Sequence, residues 1–153
     1  MGPAETPEEL RALAGRMDDV AAQVRELGSD LLALREEIGW RSVAASEYQG
    51  SLTERAEETA RTADLVDEVA HALRAHADGV AETLATIEAA RSFLMSAYEE
   101  ARSVLADLWS GVIDAITPSV EHAQRVVDLV AGAPAGPVDL GWVDRARQAG
   151  WGG

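Results

Sequence analysis

Cysteine is absent from the 153 residues. That removes disulfides, thiol nucleophiles and thiolate metal sites, and lets the chain fold equally well in reducing or oxidising surroundings. Lysine is absent as well. Thirteen arginines stand against 27 acidic residues, for a formal net charge of −14. The arginines are scattered, so neither a phosphate backbone nor an anionic lipid surface meets a basic patch, and neither is expected as a partner. No run of about 20 apolar residues occurs, and no apolar segment follows a basic N-terminal one, so neither membrane insertion nor a cleaved Sec-type signal is expected. Aromatic residues make up 5% of the chain, and proline occurs only at positions 3, 7, 118, 134 and 137.

What remains is alanine, 29 of 153 residues, within a hydrophobic share of 47%. Alanine is the best helix former and has little bulk, so this composition predicts thin, closely packed helices and an all-α fold. Residues 8–117 contain no proline, which permits long helices there.

Thr6-Pro7-Glu8-Glu9 opens the first helix: Thr caps, Pro suits the first helical position, and Glu9 completes a capping box. Leu10, Leu13, Met17, Val20, Val24, Leu27, Leu31, Leu34 and Ile38 then follow in steps of three and four, a heptad seam that leaves Gly15 and Gly28 to one side. Gly39 ends the helix, and Gly39-Trp40-Arg41-Ser42 reads as a tight turn with Ser42 as the next cap. A second seam runs through Tyr48, Leu52, Ala56, Thr59, Ala63, Val66, Ala70, Leu73, Ala77, Val80, Leu84 and Ile87. Folding back at the turn pairs residues whose numbers add to 83: Leu31 with Leu52, Leu27 with Ala56, Val20 with Ala63, Leu13 with Ala70. Large faces small at every second layer of this antiparallel hairpin.

The second seam continues past the reach of the first helix through Leu94, Tyr98, Ala101, Leu105, Leu108 and Val112, with Arg91 as a charged intruder. Gly79 marks either a kink or a position inside a continuous helix of about 110 Å at 1.5 Å per residue. Arg91 either sets register or marks a bend toward solvent, the bend being favoured. Leu84, Ile87, Leu94, Tyr98, Leu105, Leu108 and Val112 are therefore the expected partner interface. Thr117-Pro118 opens a shorter helix with Val120, Ala123, Val127 and Val130 on one face, closed by Gly132. Residues 132–137 read as a linker, and the tail carries Trp142 either as a docking peptide or as a helix laid over the bundle, with Trp151 frayed. The expected organisation is a helical hairpin and bundle over 1–131, then a Pro/Gly linker and tail over 132–153.

Candidate chemistry is sparse. Glu68-Val-Ala-His71 has the Glu-x-x-His spacing of di-metal bundles, but no second copy exists and both residues lie off the seam, so a solvated face is the better reading. His76 and His122 have no partners at metal-ligand spacing. No phosphate loop, nucleophile elbow or Ser/His/Asp grouping occurs, and acid pairs such as Glu36-Glu37 read as solvated helix faces. The chain is expected to be no enzyme, with no cofactor or metal.

Helix, Trp-containing turn and helix together resemble the Trp-x-Gly (ESX) family of type VII secretion, in particular the related N-terminal domains of secreted actinobacterial toxins. The matching stretch is Gly39-Trp40-Arg41-Ser42-Val43-Ala44-Ala45-Ser46-Glu47-Tyr48, followed by Leu52, Ala56, Ala63, Leu65, Ala70, Leu73 and Ala77; it covers roughly residues 6–90. Ser42 stands where the family usually has Gly. The family's export signal, a Tyr followed four residues later by Asp or Glu, is not met, since Leu52 follows Tyr48 and Arg102 follows Tyr98. The resemblance implies a hairpin that pairs with itself, a related hairpin or a toxin in a four-helix bundle, as secreted partner or adaptor. It implies a cytoplasmic protein, or one exported through a type VII system without a cleaved signal peptide. Trp40 is then either a recognition element for the machinery or a plug at the hairpin end. An intracellular coiled-coil scaffold unrelated to secretion is the alternative.

Overall fold

A computed structural model describes residues 6–37, 43–111 and 117–153. They form four helices, α1 (Pro7–Glu37), α2 (Val43–Trp109), α3 (Pro118–Ala131) and α4 (Gly141–Gln148), and no strand among the described residues. The fold is all-α, with α1 and the start of α2 as an antiparallel hairpin. Trp40 and Ser42, the turn residues, and Val112 lie outside the described residues. Contacts divide the chain into two compact units, Met1–Val80 and Ala81–Gly153.

The capping box at the start of α1 is formed: the Glu9 amide donates to Thr6 Oγ1 at 3.2 Å, and the Thr6 amide donates to Glu9 Oε2 at 2.9 Å. Two orphan amides of the first turn are thereby satisfied. The buried residues of α1 are Pro7, Leu10, Ala14, Ala21 and Gly28. Only Leu10 of these belongs to the expected seam. The packed stripe is 7, 14, 21, 28 together with 10, 17, 24 and 31, whereas Val20, Leu27 and Leu34 are 40%, 55% and 39% exposed. The register also differs from the sum of 83. A Cβ on Gly28 would lie 3.6 Å from Thr59 Cγ2, a pair adding to 87, and heptad spacing then sets Leu31 against Ala56, Val24 against Ala63, Ala21 against Val66 and Ala14 against Leu73. Large still faces small, now at nearly every layer. Gly28 is part of this seam, where a Cβ would sit in ordinary van der Waals contact with Thr59 and the Ala56 carbonyl, so the position takes nothing larger than alanine without crowding α2.

The α2 seam falls where the heptad spacing predicts it: Leu52, Ala56, Ala63, Ala70 and Ala77 are buried, although Tyr48 is 45% exposed. Helix α2 passes through Gly79 and Arg91 without interruption, so neither ends the element.

In the second unit, Ile87, Ala90, Leu94, Ala101 and Leu105 of α2 are buried with Val120, Ala123 and Val126 of α3 and with Trp142, Val143 and Ala146 of α4, plus Ala149 just beyond it. Val126, rather than Val127 or Val130, is the third fully buried position of α3. Thr117 caps α3, its Oγ1 accepting from the Val120 amide at 3.4 Å, with Pro118 in the first turn and Gly132 at the C-cap. Arg145 of α4 donates from Nη1 to the Leu129 carbonyl at 3.0 Å, satisfying a carbonyl of the last turn of α3. A Cβ on Gly132 would stand only 3.0 Å from that same nitrogen, so glycine leaves the space the guanidinium occupies. Trp142 Nε1 donates to the Gly136 carbonyl at 2.9 Å, which lets the indole be buried without an unmet donor. Trp151 is half-buried against the same core, its amide donating to the Ala146 carbonyl at 2.9 Å.

Candidate partner-binding face

The expected partner interface of α2 is largely occupied by the chain itself. Ile87, Leu94 and Leu105 are buried against α3 and α4, and Tyr98 and Leu108 pack at the edge of the same core. Leu84 is half-buried. The reason is α4: a seam that α1 cannot reach is covered by α3 and by a tail helix anchored through Trp142. Trp142 is thus a core residue of a helix laid over the bundle, the second of its two expected readings, and is not available as a docking peptide. Arg91 lies with its guanidinium carbon 5.9 Å from the centroid of the Trp142 ring and its Nη1 3.6 Å from Glu88 Oε2, so it borders the core through a cation–π contact instead of bending the helix.

The open apolar surface lies on the hairpin of the first unit, whose two edges differ. One edge is ionic. Arg11 Nη2 meets Asp78 Oδ1 at 3.0 Å, Arg25 Nη2 meets Asp64 Oδ1 at 2.9 Å and also pairs with Asp67, and Arg74 pairs with Asp18. The hydrogen bond from Arg74, with its charge, holds the Asp18 carboxyl below its ordinary value, and the Asp67 and Asp64 carboxylates push Arg25 up. These pairs are exposed and individually weak, but together they fix which helix face meets which. At the end of this edge an open groove of about 500 Å³ is lined by Gly28, Leu32, Thr53, Ala56 and Ala60, with Arg25 and Glu57 at its rim.

The other edge is apolar. Heptad geometry puts Leu13, Val20, Leu27 and Leu34 on one stripe of α1, adjacent to the packed stripe. Leu13 is half-buried and the other three are the exposed residues named above. Across the groove from them, α2 shows Val69 and Leu65, 50% and 61% exposed. This stripe is the surface that sequence reasoning assigned to the interior. The signal that separates the two was present in Ala14, Ala21 and Gly28, which repeat at seven residues beside the Leu stripe as Ala56, Ala63, Ala70 and Ala77 do on α2.

Glu68 and His71 are exposed on α2, as are His76 and His122. Among the described residues no polar or charged side chain is buried, and no group of three His, Asp or Glu side chains is placed to hold a metal ion. None of the described helices is long and apolar enough to cross a membrane. No family model, characterised protein or solved structure matches the chain.

Proposed function

We propose that the chain is a non-enzymatic protein-binding hairpin whose open edge receives the helices of a partner, and that it works beside a type VII (ESX) secretion system as a secreted partner or adaptor. The observation that carries the binding role is the apolar row Leu13, Val20, Leu27 and Leu34 beside a small-residue seam. A helix with one apolar stripe needs one neighbour, and a helix with two adjacent stripes needs two. Within the first unit α1 has only α2. A second hairpin laid on the open edge completes a four-helix bundle and covers Leu65 and Val69 as well. The secretion context is supported by the Gly39-Trp40-Arg41-Ser42 stretch and the Ala ladder of α2, through their resemblance to Trp-x-Gly proteins. The ionic edge, which any heptad hairpin could share, is what favours the second reading, an intracellular coiled-coil scaffold.

The test is to mix the purified chain with hairpin proteins and toxins encoded beside its gene and to measure mass by light scattering. A stable mixed complex that Leu27→Glu abolishes is expected. Absence of any such neighbour, or a complex indifferent to Leu27, would remove the secretion reading in the first case and the binding face in the second.

A further inference from the structure

The ionic edge of the hairpin is a ladder with one rung missing. Its α1 members, Arg11, Asp18 and Arg25, recur at heptad spacing and share one stripe of the helix. Each pairs with residues of α2 whose numbers, added to its own, give 89 or 92: Arg11 with Asp78 and Arg25 with Asp64 at 89, Asp18 with Arg74 and Arg25 with Asp67 at 92. The next position of the stripe is Leu32, and the same two sums lead from it to Glu57 and Ala60. All three line the open groove at the end of this edge. Glu57 therefore stands where Asp64 and Asp78 stand in their rungs, opposite a leucine instead of an arginine. It makes no ion pair among the described residues.

We propose that an arginine of another protein supplies the missing rung, and that this groove is a docking site for a helix carrying that arginine with an aliphatic residue one turn away. The site is separate from the apolar edge of Leu13, Val20 and Leu27 and does not depend on that edge binding anything. Its chemistry follows from its lining. Gly28, Ala56, Ala60 and Leu32 are small or aliphatic, and accept the methylene stem of an arginine laid along them. Glu57 at the rim offers the planar carboxylate that a guanidinium meets with two N–H groups. Arg25, also at the rim, is already matched by Asp64 and Asp67, so an acidic ligand gains little from it. At about 500 Å³ the groove has room beyond one arginine side chain, and Leu32, 42% exposed, is the contact left for an aliphatic neighbour. A groove between two packed helices is shaped to take a third helix, and the net charge of −14 favours a basic one.

Two alanine-based helical peptides test this on the full chain, one with Leu and Arg a single turn apart and the other with Glu in place of that Arg. Each is titrated into isotope-labelled protein and followed by amide chemical shifts. The arginine peptide should shift amides of residues 25–32 and 53–60 saturably, and the glutamate peptide should bind more weakly by about fivefold or more. Glu57→Gln should weaken the arginine peptide by about fivefold, the upper end for one exposed ion pair, and Glu57→Arg should reverse the preference between the peptides. Leu32→Arg completes the ladder within the chain, and should abolish binding while leaving the far-ultraviolet circular dichroism intact. Val20→Glu, on the opposite edge, should change nothing. The absence of a saturable shift, shifts confined to the edge of Val20 and Leu27, or a peptide preference indifferent to position 57 would each overturn the proposal. A wild-type mass that rises with concentration, and stops rising in Glu57→Arg, would overturn it too, because the missing arginine would then come from a second copy of this chain.

Discussion

Exchanging the sizes of two positions on different stripes of α1, Ala21 and Leu27, separates the observed seam from the one that hydrophobicity suggests. Ala21 is fully buried, while Leu27 is 55% exposed. Ala21→Leu adds three carbons to a layer already filled at close helix separation, which costs about 1–3 kcal/mol when a core is overpacked. Leu27→Ala removes three carbons that are less than half buried. At about 0.8 kcal/mol per buried methylene, scaled by the buried fraction, it costs about 1 kcal/mol, and the better helix propensity of alanine returns a few tenths. If Leu27 lay in the seam against Ala56, the same change would cost about 2.7–5 kcal/mol and Ala21→Leu almost nothing. The assay is urea unfolding followed at 222 nm, at a concentration low enough to keep the chain monomeric, with amide exchange over 45–77 assigning the loss to the first unit. We expect Ala21→Leu to be the more damaging change. A loss above about 2.5 kcal/mol for Leu27→Ala, with Ala21→Leu within about 0.5 kcal/mol of wild type, would refute the register described above.

Leu94 is fully buried between α2, α3 and α4, so Leu94→Ala should destabilise the second unit of the monomer by about 3–5 kcal/mol, readable as a lower urea midpoint; a variant of unchanged stability that only weakens association would return Leu94 to an intermolecular interface. Asp18 supplies a pH test. Its carboxyl is held below the ordinary value by Arg74, so its contribution is present above the unfolded carboxylate range near pH 4 and is lost as pH falls through the lower folded value. We expect the stability difference between wild type and Asp18→Asn to shrink between about pH 5 and pH 2, and a difference that grows on acidification would contradict the Arg74 pairing.

Much of this protein was legible in its residues one after another. The capping box at Thr6 and Glu9, the Thr117-Pro118 start of α3 and the run of Ala56, Ala63, Ala70 and Ala77 are local signals, because caps and heptad repeats depend on neighbours within a turn or two. The all-α class and the antiparallel hairpin follow from them. Tertiary structure decided two things that local signals could not. Leu10, Met17, Val24 and Leu31 belong to two heptad stripes, one completed by Leu13, Val20, Leu27 and Leu34 and the other by Ala14, Ala21 and Gly28. Hydrophobicity favours the leucines, but the small side chains let α1 and α2 approach closely enough for the large residues of each helix to fill the spaces of the other, and that packing sends the leucines to the open edge. The second is the fate of the seam beyond Val80. Whether Leu94 waits for another chain or is covered by its own depends on where Trp142 lands, and that is set by a surface built jointly from α2 and α3, more than 30 residues away from it along α2, rather than by anything in the short segment around Trp142 itself.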